Sequence, residues 1–166
     1  MRGLWAVVVA AGWDGMAGAQ EMAFDIAPTS ACLEEADWSV GPPYHCVGEA
    51  ANVCMSTPDG SSTVGMGYCL DAELQWWDAR LNRVYAGVMK QDKATDADMA
   101  GSGATVPPLA ENLKAMQRAW IPFRDAACEY EMAQWGGGTG QGPALVGCLM
   151  AETGRQTLRL EARLGG

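Results

Sequence analysis

Histidine is nearly absent from this chain, with one residue, His45, among 166. Imidazole is the usual neutral-pH proton carrier and a common metal ligand, so its scarcity argues against His-based catalytic or metal sites. Basic charge is also scarce: 11 Lys and Arg stand against 20 Asp and Glu, for a net charge of −9. Non-specific nucleic-acid binding needs a basic footprint that displaces counterions, and none is present. No Cys-x-x-Cys pair occurs, which removes a thioredoxin-like redox site and weakens any zinc reading. No apolar run reaches the length of a membrane span.

What is present begins with a targeting pattern. Arg2 precedes a short apolar run from Leu4 to Gly12, and Ala17-Gly18-Ala19 has the small-x-small form that signal peptidases cleave. Residues 1–19 are therefore read as a signal peptide, and the mature chain as periplasmic or secreted, with no membrane anchor. All six cysteines, Cys32, Cys46, Cys54, Cys69, Cys128 and Cys148, lie beyond that site. An even number in this compartment implies three disulfides, with 15 possible pairings. The Gly-rich reversal at 136–142 brings Cys128 across from Cys148, a pair worth roughly 3 kcal/mol in the chain-entropy account. Cys32–Cys46 and Cys54–Cys69 are the favoured remaining pairs.

Charge is distributed unevenly. Residues 20–78 hold ten acidic residues and no Lys or Arg, whereas residues 79–166 hold nine acidic and ten basic ones. Such asymmetry fits an acidic face that meets a cationic partner, or charge pairing between the two halves. Within the acidic segment, Glu34, Glu35, Asp37, Glu49 and Asp59 are the candidate contacts. Trp38 is a candidate anchor, as Trp135 is further along.

The segment 20–68 is rich in turns, with short helical pieces around Cys32 to Trp38 and Tyr44 to Met55. From 69 to 166 the pattern becomes helical. Leu70, Leu74, Trp77, Leu81, Val84 and Val88 form one apolar stripe, predicting a helix from Cys69 to about Lys93. Asp71 and Glu73 fall in its expected first turn, and residues 92–105 read as a mobile connector. Pro107-Pro108 opens a second helix whose stripe runs Leu109, Leu113, Met116, Trp120, Phe123, Ala127 and Tyr130, bent at Pro122. A last helix from Ala144 to Leu164 carries Val146, Leu149, Thr153, Leu160 and Leu164 inward and a basic row of Arg155, Arg159 and Arg163. The expected fold is an all-α, disulfide-tied helical bundle: a cysteine-rich N-terminal segment packed on a three-helix core.

Polar side chains near the stripes, namely Asp78, Asn82, Tyr85, Gln117, Arg124, Asp125 and Arg155, read as a network that fixes helix register. Arg124 is expected to pair with Asp78 or Asp125. The glycine run 136–142 lacks the Gly-Lys-Ser/Thr ending of a phosphate loop. His45 has no nucleophile partner in sequence, so no catalytic, metal or cofactor residue is assigned. The paired carboxylates Glu34-Glu35 and Asp71 with Glu73 leave a carboxylate-based hydrolase as a distant reading.

The pattern Asp78-x-x-Leu81-Asn82-x-x-Tyr85, then Gln117-x-x-Trp120-Ile121-x-x-Arg124-Asp125-x-x-Cys128, then Gly137, Cys148 and Thr153-x-Arg155 resembles the LprI-type lysozyme-inhibitor N-terminal domain family. The resemblance runs from about Cys69 to Leu164. It implies a small helical protein of the bacterial envelope and, from the family's name, inhibition of lysozyme. Two readings follow: a soluble protein that occludes a cationic lysozyme without covalent chemistry, or a non-inhibitory envelope module with another protein partner.

Overall fold

In a computed structural model of the chain, residues 22–103 and 105–165 are described. The expected signal peptide lies outside them. The described residues form five helices and no strand: α1 (Ala27–Glu35), α2 (Glu49–Met55), α3 (Thr63–Gly101), α4 (Leu109–Ala133) and α5 (Gln141–Leu164). Single 3₁₀ turns at Trp38–Val40 and Tyr44–Cys46 lie between α1 and α2. No helix among the described residues is long and apolar enough to cross a membrane.

Helix α3 is the spine. Its 39 residues span about 58 Å at 1.5 Å per residue. Its apolar stripe faces inward as the spacing predicts, with Leu70, Trp77, Leu81, Val84 and Val88 all buried. Two cores form along it. The first joins Trp77 and Leu70 to Leu33, Cys46 and Ala51 of the N-terminal segment and to Met150 and Leu158 of α5. The second joins Leu81, Val84 and Val88 to Leu113 and Trp120 of α4 and Leu160 of α5. Three disulfides tie the fold: Cys32–Cys46, Cys54–Cys69 and Cys128–Cys148.

Helix α3 outruns the sequence expectation at both ends. It begins at Thr63, where the Ser62 hydroxyl accepts a hydrogen bond from Gly65 N at 3.0 Å. The glycines before Cys69 do not break it. A Cβ at Gly65 would stand 2.1 Å from the Asp59 carbonyl oxygen, so glycine permits the first turn to press against the 57–61 turn. Asp71 and Glu73 are thus two turns inside the helix. At the other end, 92–101 is helical rather than a mobile connector, since Asp92 is buried beside Arg163 at 3.3 Å.

The stripe of α4 also departs from expectation. Leu113 and Trp120 are buried, but Phe123 is 64% and Tyr130 is 72% exposed. Cys128 and Arg124 turn inward instead. The Cys128–Cys148 disulfide fixes which side of this half of α4 meets α5, and at about 100° per residue Phe123 and Tyr130 fall on the far side from Cys128. Helix α4 continues through Pro122 without a break. In α5, Thr153 and Leu160 are buried as expected, whereas Leu164 is exposed.

Candidate functional site: a disulfide-closed acidic loop

The N-terminus of α2 has no cap of its own. Gly48 occupies the N-cap at φ +97°, a left-handed conformation that favours glycine. The cap comes from elsewhere. Glu73 of α3 is fully buried and accepts four hydrogen bonds. Its Oε1 takes Gly48 N at 2.8 Å, Trp77 Nε1 at 2.9 Å and Thr29 Oγ1 at 3.0 Å, and its Oε2 takes Ala51 N at 2.7 Å. Thr29 Oγ1 in turn accepts Ala50 N at 2.9 Å. A negative carboxylate at a helix N-terminus satisfies orphan donors and complements the helix dipole. Glu73 therefore binds α1, α2 and α3 together, a role the sequence reading missed. It is fully occupied and closed to solvent, so the Asp71 and Glu73 pair is not a site for acid–base work on a substrate.

Helix α4 repeats the device. Its N-cap is Pro108, without a side-chain cap, and Asp96 of α3 accepts Leu109 N at 2.7 Å and Ala110 N at 3.0 Å. Further along, Val47 fits against α5, where a Cβ on Gly154 would stand 2.7 Å from Val47 Cγ1 and 3.2 Å from Trp77.

Anchored at Thr29, Gly48 and Val47, residues 33–45 form a loop closed by Cys32–Cys46. Pro42 and Pro43 stiffen its return, and Gly41 turns at φ +120°. Its surface is apolar and acidic at once. Trp38, Val40 and Tyr44 are exposed, Val40 by 85%, and Glu34, Glu35 and Asp37 are exposed beside them in sequence. Asp37 caps the first 3₁₀ turn through Ser39 N at 2.9 Å. Side-chain and backbone hydrogen bonds from Ser39 lower its pKa below the usual 3.8.

The structure places the other expected contacts apart from this loop in sequence: Glu49 opens α2, and Asp59 sits on the α2–α3 turn beside Met22, Pro58 and Ser62. Trp135 is 54% exposed at the end of α4. His45 lies with Cys32 and Cys46 in a cluster whose candidate ligand atoms are within 4.8 Å of one another. Both sulfurs are consumed by the disulfide, which leaves no thiolate there to bind a metal.

The expected polar network divides into separate groups. Arg124 pairs with Asp125 at 2.7 Å, stacks over Trp120 at 5.1 Å and reaches Thr153 Oγ1 at 3.4 Å. Gln117 accepts a bond from Gln156 at 3.0 Å. Asn82 bonds Asp78 on the exposed side of α3 at 3.2 Å, and Arg155 pairs with Glu152 on α5 at 2.7 Å. Tyr85 packs half-buried against the second core.

Fold and loop together define a small, acidic, disulfide-tied helical protein with an exposed loop closed by Cys32–Cys46. The chain belongs to the family described as lysozyme inhibitor LprI, whose profile matches residues 54–160. It is 32% identical over 119 residues to an uncharacterized protein of Rhizobium meliloti (strain 1021), covering 70% of this chain and 86% of that one. It is also 25% identical over 122 residues to an uncharacterized 17.7 kDa protein of the puhA 5′ region of Rhodobacter capsulatus, covering 73% and 75%. No solved structure matches.

Proposed function

We propose that the protein acts outside the cytoplasm as a non-covalent inhibitor of lysozyme. Family membership supports the partner class, and three disulfides support an oxidising compartment. The observation that carries the reading is the closed loop 33–45, which exposes Trp38, Val40 and Tyr44 together with Glu34, Glu35 and Asp37 in a segment devoid of Lys and Arg. An aromatic anchor on a pre-ordered loop limits the entropy lost on binding. Exposed acids on the same segment steer a cationic enzyme and raise its association rate. Occlusion of the glycan cleft would suffice, with no bond made or broken.

The test is lysozyme-driven clearing of a cell-wall suspension, with oxidised mature protein at low and physiological salt. Dose-dependent inhibition is expected, with Trp38→Ala and the triple change Glu34→Gln, Glu35→Gln, Asp37→Asn each weakening it. The triple variant should also flatten its salt dependence. No inhibition at micromolar excess would reject the reading and favour an envelope partner other than lysozyme.

A further inference from the structure

Away from the acidic loop, the three long helices leave a cleft of about 280 Å³ between the second half of α3, the start of α4 and the end of α5. Its walls are apolar: Val88, Leu109, Leu113, Met116 and Leu160. Three charged groups line it. Asp92 is buried and its charge is matched by Arg163 at 3.3 Å. Arg159 has no carboxylate partner among the described residues; its guanidinium donates to Gln156 Oε1 at 3.2 Å. The lining therefore carries one uncompensated positive charge, on a protein whose net charge is −9.

An apolar slot with a cation on its rim has a complementary ligand. We propose that this cleft binds a single-chain anionic amphiphile of the fatty-acid type, with the alkyl chain among Leu113, Met116 and Leu160 and the carboxylate on Arg159. The volume limits the choice. Ligand sites for drug-sized molecules run from roughly 300 to 1,000 Å³, so this cleft suits one chain and not a fused-ring or two-chain lipid. Each methylene removed from water adds to the affinity, and an ionic hydrogen bond to a guanidinium orients the head. Arg163 stays paired with Asp92 at the inner wall, which leaves Arg159 to meet the head group.

Calorimetric titration with monomeric decanoate tests this on the full mature protein, with butyrate, decanol and vesicles of phosphatidylglycerol as comparisons. One saturable site for decanoate is expected, with butyrate, decanol and the exposed-rim variant Arg159→Glu each at least about tenfold weaker, a loss of about 1.4 kcal/mol. Met116→Trp, which fills the slot, should abolish binding while thermal melting shows a folded protein. If Met116→Trp fails to fold, Arg159→Glu and the ligand series decide alone. Absence of saturable decanoate binding would overturn the proposal. So would equal binding by wild type and Arg159→Glu, or binding to anionic vesicles without binding to the monomer.

Discussion

Replacing Glu73 by glutamine changes one atom and should cost the fold a large part of its stability. The carboxylate accepts four donors, three on Oε1 and one on Oε2, all within 3.0 Å and all buried. Glutamine keeps a single acceptor oxygen. Placed to serve Gly48 N, Trp77 Nε1 and Thr29 Oγ1, it turns its NH₂ toward Ala51 N, so two donors confront each other. An unsatisfied buried donor costs about 1–3 kcal/mol, and the three remaining bonds fall from charge-assisted strengths of about 1.5–3 kcal/mol toward neutral ones of about 0.5–1.5. Allowing for relaxation and non-additivity, the expected loss is about 3–5 kcal/mol, against the 5–15 kcal/mol typical of whole domains. Guanidinium unfolding followed by tryptophan fluorescence measures it, with Trp77 as a reporter in direct contact with the substitution. Asp71→Asn, exposed and two residues away, is the control and should stay within about 0.5 kcal/mol. Hydrogen exchange should show Gly48 and Ala51 amides losing protection before α5 does. A Glu73→Gln protein within about 0.5 kcal/mol of wild type would refute the account of Glu73 as the joint of three helices.

Three further outcomes follow from the same packing. Gly154→Ala should destabilise by about 1–3 kcal/mol through overpacking against Val47 and Trp77, and Val47→Ala added to it should recover part of that loss in a double-mutant cycle. Asp96→Asn should cost about 1 kcal/mol and fray the first turn of α4, read as faster exchange at Leu109 and Ala110. Asp37 has its folded value lowered by Ser39, so its support of the 3₁₀ turn is present above pH 3.8 and lost as pH falls through the lowered value; carboxyl NMR should place its midpoint below 3.8, and Ser39→Ala should raise it.

The sequence makes the core of α3 readable because Leu70 to Val88 spans 18 residues, five full turns of a 3.6-residue helix, so the stripe returns to its starting angle. The stripe of α4 has the same spacing over its first 18 residues, yet Phe123 within it is exposed, so spacing alone did not decide which side turns inward. One signal for this was present in the sequence. Cys128 and Tyr130 are two residues apart and so about 200° apart around a helix, and the tie to Cys148 fixes which of them faces α5. The N-terminal caps of α2 and α4 were not readable, because Glu73 and Asp96 come from helix interiors 25 and 13 residues away. Local pattern rules look for a cap at the N-cap position, where this chain has Gly48 and Pro108. Of the proposed partner surface, exposed acids and Trp38 follow from composition, whereas the rigidity of their loop depends on packing at its base.

That base links the loop to the family-matched part of the chain. The match begins at residue 54, so the loop and its disulfide precede it. Yet Gly48 N bonds Glu73 and Val47 packs at Gly154, and both of those holding residues lie inside the match. The bundle therefore supplies a socket for the base of the loop. Under the inhibitor reading, contact and anchoring have separable signatures. Trp38→Ala removes an exposed side chain and should weaken binding mainly through faster dissociation, with unfolding midpoints unchanged. Glu73→Gln touches no partner but loosens the loop's foot, so it should lower affinity by the added ordering cost while the free protein shows the lost amide protection. If a Glu73→Gln protein that is still folded inhibits as well as wild type, the loop is not the binding element, and the contact surface lies within the matched helices themselves.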